Sequence, residues 1–479
     1  MIHTKYLFPF KSEKEKFDQN NKLVYSFIER LSFIAKNEIK HPEYSNLITI
    51  FFHEIVTLYS NSLILKNSSR SYNNLMRVPF LNSKIVTEFD STKIQDYNFK
   101  PGEISKSTFG QINEKINWFR SNKISLSPNF PKYHIHKNLI DFLKIPVVLP
   151  KNPQIFIEDA KIQLLIIEEF LKNEFDKIQI KSIQIIKLFR NYIKFYLSKD
   201  EFELTGSLFL TGSNTNIISR IMSANFRKKD LPVISVCHGE HSIRVFNEPL
   251  FNYAELTLST HYIDYGERYN SILPQTDSKV IYRSSEKIKN IKNTTTRNPK
   301  KKGKKILYIP TSYSLNNLYG PYRSFEDHVY IEWQQLLMKY NEHLMMKIHP
   351  KSKVSFQIFD KQQITGTLEK FIEMYDRFVF DYISSAFALS CATGKPILYF
   401  DLGIRNLNKE AKAIIKKRCY YCEINYDQNI GDQIQKAFSE FDSFNNYDPF
   451  TYTDTYSLNK MNDLEYDTIF NLVKNLRRS

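Results

Sequence analysis

The feature that most constrains the fold is an alternation of short apolar strands and amphipathic helices that begins near residue 204. Segments such as SLFLTGSN, LPVISVCHGEH and GKPILYFD are apolar runs that end in polar residues. Strands that alternate with helices in this way form parallel sheets with helices on both faces. The pattern starts again at residue 306, after a lysine-rich stretch. The sequence therefore predicts an α/β protein with a pair of doubly wound parallel-sheet domains facing each other across a cleft.

The chain of 479 residues is too long for one ordinary core, and the pattern divides it into four regions. Residues 1–200 are predicted to be helix-rich, because apolar residues recur at three- and four-residue spacing in segments such as NKLVYSFIERLSFIAKNEI. Residues 201–285 are predicted to form the core of a first, Rossmann-like domain, and residues 306–479 a second α/β domain. Residues 286–305, EKIKNIKNTTTRNPKKKGKK, are rich in lysine and poor in apolar residues, so we expect an exposed linker.

The formal net charge of +16 favours an anionic partner, which could be nucleic acid, an anionic membrane or a phosphate-bearing substrate. A composition rich in Lys, Asn and Ile explains the same excess without any partner. No aromatic residues interleave with the lysines of 286–305, so nucleic acid is not expected. The start, MIHTKYLFPFKSEKEK, lacks the apolar region of a signal peptide, and His53 and Glu54 interrupt the apolar stretch LITIFFHEIVTLYSNSLILK. We expect a cytoplasmic protein, with peripheral docking on the inner face of the membrane left open.

Four cysteines in a chain of this length do not suggest a disulfide framework. Cys419 and Cys422 form a single C-x-x-C pair in KRCYYCEI. A structural zinc site would need a second pair of ligands at suitable spacing. We interpret the two cysteines as half-buried thiols near a strand, and expect no metal.

Polar residues at the ends of predicted strands are candidates for a site, because ligands of open parallel sheets bind beyond the carboxyl ends of the strands. The strand in LMMKIHPK ends at His349, whose imidazole can hold a phosphate oxygen while Lys347 or Lys351 adds charge. The alternative is a histidine that only ends the strand. Ser384 and Ser385 open a helix after the strand RFVFD, where N–H groups and the helix dipole favour an anion. Simple N-capping by serine is the alternative here.

A third group of polar residues follows the strand VISVC. His238, Gly239 and Glu240 come directly after it, and either His238 or Glu240 could act as a general base toward an acceptor hydroxyl. The alternative is a glycine turn with solvated neighbours. The sequence therefore predicts titratable groups at the carboxyl edges of both sheets.

These motifs together resemble those of a known family. KIHPK and, about thirty residues later, DYISSAFALSCATGKPILYFD look like the HP and SS motif pair of bacterial surface-polysaccharide glycosyltransferases with the GT-B fold. VCHGEH is similar to a histidine-glycine motif in the N-terminal half of the same group. The group includes capsule Kdo transferases, bacterial sialyltransferases and CDP-glycerol glycerophosphotransferases. The resemblance covers roughly residues 204–425 and leaves the first two hundred residues, which we expect to form the acceptor side, without a counterpart.

The resemblance implies a glycosyltransferase that moves a sugar from a nucleotide donor to a cell-surface polysaccharide or lipopolysaccharide. The donor would be CMP-linked and Kdo- or sialic-acid-like. His349, Ser384 and Ser385 would bind the donor phosphate, with Lys351 adding positive charge. No D-x-D motif stands at a strand end to hold a divalent ion on a diphosphate, so a metal-independent site without a cofactor is expected, in which preorganised positive potential stabilises the leaving group.

The resemblance leaves the base and the rival functions open. The glycerophosphotransferases point to His238 as the base, whereas sialyltransferases use an acidic residue, for which Glu240 is the nearest candidate although the order of its motif is reversed. Thr365 and Gly366 stand where such transferases seat the nucleobase, and a plain turn explains them equally well. The alternatives to a glycosyltransferase are a CDP-polyol phosphotransferase of teichoic-acid type and a non-catalytic polyanion-binding protein.

Overall fold

A computed structural model of the chain contains two parallel β-sheets with helices packed on their faces. The residues that the structure describes are 7–38, 46–67, 124–126, 147–148, 160–190 without 180, 181, 184 and 188, 208–247 without 213, 215, 216, 238, 240, 241, 255–267, 278–297, 303–310, 327–348 without 342, and 363–459.

The first sheet has the strand order β2-β1-β3-β4-β5-β6, and all its strands are parallel. The strands are β1 Ile124–Leu126, β2 Val147–Val148, β3 Leu208–Thr211, β4 Val233–Val236, β5 His261–Tyr265 and β6 Lys279–Arg283. The order of the first five is that of flavodoxin-like sheets. Strands β1 and β2 come from the range 1–200, which we predicted to be helix-rich. With 3 and 2 residues, they are too short to show a period in the sequence.

The second sheet is also parallel and has the order β12-β11-β10-β7-β8-β9. The strands are β7 Ile306–Ile309, β8 Met345–Lys347, β9 Gln363–Ile364, β10 Arg377–Phe380, β11 Ile397–Asp401 and β12 Tyr420–Glu423. Read from β9, this is the Rossmann order 3-2-1-4-5-6, which reverses direction between β7 and β10. Ligands of such sheets bind beyond the carboxyl ends of the strands at this switch point.

The described part of the chain contains ten helices. They are α1 Leu7–Glu38, α2 Leu47–Asn67, α3 Ala160–Lys177, α4 Ile217–Lys228, α5 Glu286–Arg297, α6 Asp327–Tyr340, α7 Ser385–Ala392, α8 Lys409–Arg418, α9 Ile430–Ser443 and α10 Thr451–Tyr456. None of these helices combines the length and the apolar character needed to cross a membrane.

Side chains of the second sheet alternate between two differently covered faces. Helices α6 and α9 cover one of them, which we call the α6 face and on which Tyr308 packs near Trp333. Helices α5, α7, α8 and α10 cover the other, the α7 face. There Tyr399 meets Phe387 edge to face, with ring centroids 5.7 Å apart. The second domain is therefore doubly wound.

Helix α1 contributes to the cores of both domains. Near its start, Phe10 and Phe17 pack into the core on the α6 face of the second sheet. Further along, residues from Val24 to Ala35 pack with α2, α3 and α4 in the first domain. Its 32 residues correspond to about 48 Å at 1.5 Å per residue, which is enough to span two domains. Pro9 is tolerated because it lies in the first turn, where N–H groups have no intrahelical partner.

Helix α5 connects the first domain to the second. It follows β6 directly, and its residue Ile288 is fully buried in the core on the α7 face. Lys292 on the same helix pairs with Asp454 of α10. We expected residues 286–305 to be an exposed linker, but most of this stretch is a docked helix. The reason is that a few apolar residues, such as Ile288, hold it in place among many solvated lysines.

The C-terminal segment 455–459 crosses in the opposite direction and lies along the carboxyl edge of the first sheet. The backbone N–H of Glu267, just after β5, donates to the carbonyl of Thr455 at 3.0 Å, and that of Ser285, just after β6, donates to Ser457 at 2.8 Å. The chain therefore passes between the two domains at α1, at α5 and again after α10.

The loops that follow β4 and β11 meet in a short antiparallel contact. Phe246 and Leu407 form a β-bridge, and the N–H of Asn247 donates to the carbonyl of Asn406 at 2.7 Å. Each loop begins at the carboxyl end of its strand, so the carboxyl edges of the two sheets face each other. The predicted fold class, a GT-B-like pair of doubly wound domains with a helix-rich N-terminal region, is confirmed.

Candidate functional site

The switch point of the second sheet lies between the carboxyl ends of β7 and β10, and Ser384 and Ser385 lie there. Ser384 is the N-cap residue of α7 and has an extended backbone (φ −147°, ψ −179°), and its side chain makes no capping hydrogen bond. Ser385, the first residue of the helix, is exposed. The first N–H groups of a helix point out of its end, which makes the position suitable for an anion. Both serines thus lie at the edge where open parallel sheets of this kind generally bind ligands.

Asp381 anchors the turn that leads into α7. It is buried directly after β10, and one of its carboxylate oxygens, Oδ2, accepts a hydrogen bond from the Trp333 indole Nε1 at 3.1 Å and another from the Tyr308 hydroxyl. Both donors lie on the α6 face. Asp381 therefore fixes the backbone three residues before Ser384 from the side of the sheet opposite to α7.

Arg405 is a charged residue of this edge that the sequence reasoning missed. It lies in the loop after β11, and its guanidinium carbon is 5.0 Å from the centroid of the Tyr382 ring. Tyr382 stands between the end of β10 and Ser384. The contact places a positive charge next to the serine turn. The sequence signal would have been an arginine four residues beyond the strand ILYFD, a weak pattern in a chain with 67 lysines and arginines.

Thr365 and Gly366 form an exposed turn after β9, at the outer end of the same carboxyl edge. Gly366 has φ +115°, a region that side-chain-bearing residues rarely adopt. Among the described residues, an added Cβ would meet only the Phe371 ring, at 3.4 Å, so the glycine is required by its backbone conformation rather than by close packing. A role in seating a nucleobase stays a prediction.

Four predicted site residues lie outside the described residues: His238, Glu240, His349 and Lys351. For these four residues, the structure describes only the strands that precede them in the chain. β4 ends at Val236, and β8 ends at Lys347. The structure brings together Ser384 and Ser385 at the switch point and leaves the grouping of the other predicted residues untested.

A buried charged pair, which sequence reasoning also missed, holds the first sheet's edge. Arg244 Nε lies 3.6 Å from Asp264 Oδ2 and donates to Ser242 Oγ at 2.8 Å. The same carboxyl group accepts from the Ser242 hydroxyl at 2.7 Å. Burial raises the pKa of Asp264, and the Arg244 guanidinium partly offsets this effect. The pair fixes the loop that directly follows the predicted base candidates.

The predicted C-x-x-C pair lies at β12, away from the switch point. Cys419 is buried just before this strand, and Cys422 is half-buried on it. Burial raises the pKa of both thiols, which keeps them protonated. Among the residues that the structure describes, no group of three or more His, Cys, Asp or Glu side chains could hold a metal ion.

Comparisons with known proteins give only distant likenesses. No family model and no curated protein matches the chain. Among solved structures, the chain is similar to UGT89C1 of Arabidopsis thaliana complexed with UDP, with 12% identity, a TM-score of 0.36 and coverage of 74% of this chain and 92% of the other. It is also similar to MurG of Acinetobacter baumannii, with 8% identity, a TM-score of 0.32 and coverage of 71% and 88%. Because both TM-scores are low, the fold assignment rests on the strand order and not on these likenesses.

Proposed function

We propose that the protein is a glycosyltransferase that moves a Kdo- or sialic-acid-like sugar from a CMP-linked donor to a cell-surface polysaccharide or lipopolysaccharide. The observation that carries the proposal is the serine pair at the N-terminus of α7. Ser384 occupies the N-cap position without making the capping hydrogen bond, and Ser385 is exposed beside it. Two hydroxyls that are not used for capping, at the switch point of a Rossmann-type sheet, suit a phosphate group.

In this proposal the second domain stabilises the leaving group. The acceptor oxygen forms a bond to the anomeric carbon while the bond between that carbon and the phosphate oxygen breaks, and the electron pair leaves with CMP. Ser384, Ser385 and the first N–H groups of α7 hold the departing phosphate, and the helix dipole favours its charge. The resemblance assigns His349 and Lys351 to the same phosphate, without a metal ion or cofactor.

The first domain supplies the base across the cleft. His238 or Glu240 takes the proton of the acceptor hydroxyl as it attacks. The support for this arrangement is that the loops after β4 and β11 touch, through the Phe246–Leu407 bridge. The described end of the loop after β4 therefore reaches a loop of the sheet that carries the serines.

The proposal predicts that Ser384→Ala weakens nucleotide binding but hardly changes stability. A serine that makes its capping bond contributes about 1 kcal/mol, and Ser384 makes no such bond. The measurement is the affinity for CMP by titration calorimetry together with the free energy of unfolding in urea. We expect a loss of about tenfold in CMP affinity, as for one charge-assisted hydrogen bond.

Asn408→Ala is the matched control for capping. Asn408 is the N-cap of α8, and its side chain accepts from the N–H of Glu410 at 2.9 Å. This variant should lose about 1 kcal/mol of stability and keep CMP binding. If Ser384→Ala instead behaves like Asn408→Ala, the serine is an ordinary cap and the proposal loses its main support.

The reaction products and the salt dependence of binding distinguish the rival functions. A thermal-shift screen against CMP, CDP, UDP, GDP and ADP identifies the nucleotide class first. A CDP-polyol phosphotransferase also releases CMP but leaves phosphorus in the acceptor product, which ³¹P NMR detects. A polyanion-binding protein has salt-sensitive binding that survives His349→Ala, whereas this change abolishes turnover of a glycosyltransferase.

We place the enzyme in the cytoplasm, docked on anionic lipid near its acceptor. The net charge of +16 favours such a surface. Co-sedimentation with vesicles is expected to rise with the anionic lipid content, and co-sedimentation that is independent of lipid charge would exclude the docking.

A further inference from the structure

Lys347 is a buried lysine at the carboxyl end of β8. The sequence offers it only as one of two lysines that could add charge beside His349, and the proposed function gives it no role. Only 5% of its surface is exposed. Its ammonium lies 3.5 Å from the carbonyl of Ile348, which is a weak contact for a charged group. Burying an ammonium is costly unless an anion compensates it. The position therefore suggests a nearby negative charge.

The side chain of Lys347 lies on the same face of the sheet as the serine turn. Met345 lies two residues before Lys347 on β8, and Ile364 is the residue of β9 that pairs with Lys347. Both pack against the core on the α7 face. Side chains two apart on a strand share a face. Helix α7, which begins at Ser385, covers this face. The strands β8 and β10 are separated by β7 alone, so they are roughly 10 Å apart.

The charged groups around Lys347 leave an excess of positive charge. Glu369, in the turn after β9, favours the ammonium, but this carboxylate already pairs with Lys287 of α5. Tyr308 and Asp381, the polar groups of the neighbouring strands, lie on the α6 face. Burial lowers the pKa of Lys347, and Glu369 only partly offsets this effect. Among the described residues, two lysines thus share one carboxylate at this edge.

We infer that the Lys347 ammonium binds the phosphate of the nucleotide donor, from the same face of the second sheet as Ser384 and Ser385. The inference rests on the proposed function and adds a phosphate-binding residue to it. The phosphate would add negative charge to that of Glu369, the carboxylate that Lys347 shares with Lys287 among the described residues. A charge-assisted contact of this kind distinguishes a nucleotide from its nucleoside.

The test compares CMP with cytidine in the full-length chain by titration calorimetry. Lys347→Met should weaken CMP about tenfold or more and leave the affinity for cytidine within about twofold of the wild type. Lys370→Met, the same change at an exposed residue of the neighbouring turn, is the control and should change neither affinity. Because Lys347→Met could fold poorly, Lys347→Arg is measured as well and should keep the preference for CMP.

The pH dependence gives a second readout, which a structural role would not affect. An ammonium with a lowered pKa loses its proton at a lower pH than an exposed lysine, so CMP affinity should fall as the pH rises from about 7 to 10, while the phosphate stays doubly charged. In Lys347→Arg the guanidinium stays charged, and the fall should disappear.

The outcomes separate this inference from the proposed function. If wild-type protein binds neither CMP nor cytidine, the proposed donor and this inference both fail. If wild-type protein prefers CMP and Lys347→Met keeps that preference, the donor stands and the inference is overturned. An equal loss of CMP and cytidine binding in Lys347→Met also overturns it, because it indicates a structural role.

Discussion

His53 lies on α2 next to a buried ion pair that joins α2 to α4. Glu54 and Arg220 pair with 1% of each residue exposed, and Arg220 also donates to the carbonyl of Asn214 at 2.9 Å. The Asn214 amide donates in turn to the hydroxyl of Ser235 on β4 at 3.0 Å. A charged side chain of the N-terminal region thus fixes the loop at the carboxyl end of β3.

This environment predicts that the protein loses stability in mild acid through His53. Burial and the charge of Arg220 lower the pKa of His53 to about 3, from a usual value near 6.5. Below pH 6.5 the imidazole binds a proton in the unfolded chain but stays neutral in the folded chain. This contribution to stability is therefore present above pH 6.5 and is lost as the pH falls. The loss should reach roughly 1–2 kcal/mol by about pH 5. Urea unfolding at a series of pH values measures it.

His53→Gln should remove this part of the acid sensitivity, because glutamine does not titrate. His343→Gln, at an exposed histidine, is the control for the loss of one imidazole. An identical fall of stability between pH 7 and 5 in the wild type and in His53→Gln would contradict the prediction.

At the scale of single elements, α1 is the helix whose role depends most on distant partners. Its first turns lie in the second domain, where Lys11 pairs with Asp427 at 2.5 Å and the Lys14 side chain passes over Gly403. Both partners follow strands of the second sheet, so α1 covers the carboxyl ends of β11 and β12. The serine turn follows β10, the next strand after β11, and the turn after β9 lies at the far end of this edge.

Phe10→Ala is expected to destabilise the second domain, although residue 10 comes before the first domain in the sequence. Phe10 is 1% exposed, and the truncation of a buried phenylalanine costs about 3–5 kcal/mol. A Trp118→Phe background leaves Trp333, which belongs to the same core cluster, as the only tryptophan and thus as the reporter in urea unfolding. Phe33→Ala is the control on the same helix, since Phe33 is 67% exposed, and should cost less than about 0.5 kcal/mol. Equal costs in the two variants would mean that the start of α1 is not docked.

The elements that could be predicted from sequence are those with a strong local pattern. The runs KILYIPTS, RFVFD and GKPILYFD became β7, β10 and β11, and the serines after RFVFD became the start of α7. A less regular case is GTLEKFIEMY, whose apolar spacing suggests a helix, whereas the segment contains only the short 3₁₀ turn Leu368–Lys370. Helix α5 was missed because Ile288 gives little apolar signal among its lysines. Arg405 could not be assigned to the site, and Lys347 could not be preferred over Lys351, because only the neighbouring strands give these positions their charged surroundings.

At the scale of the whole molecule, the pair of domains follows from the repeated alternation of strands and helices, whereas the way the domains are joined does not. The C-terminal segment depends on Gly266, which follows β5 and has φ +91°. A Cβ there would lie 2.4 Å from the carbonyl oxygen of Thr455 and 2.7 Å from the Tyr456 Cα. Nothing near residue 266 in the sequence indicates that a backbone from the other end of the chain passes so close.

Gly266→Ala should therefore release the C-terminal segment from the first domain. Gly366→Ala is the matched control, because Gly366 also has positive φ but leaves room for a Cβ. The backbone strain alone costs roughly 1–2 kcal/mol in each variant, and the collision should add about 1–3 kcal/mol in Gly266→Ala. Urea unfolding measures the difference, and hydrogen exchange of residues 451–459 should rise in Gly266→Ala only. Similar exchange in both variants would refute the close approach.

The position of Phe10 in the second domain has a consequence for biosynthesis. A ribosome adds about 5–20 residues per second, so the first turns of α1 emerge tens of seconds before the core that receives them exists. Helix α1 must wait with Phe10 and Phe17 exposed while the first sheet forms, and its first turns dock only after the second sheet has been made. A chaperone that binds exposed aromatic residues would therefore find a target in α1 until the second sheet has been made.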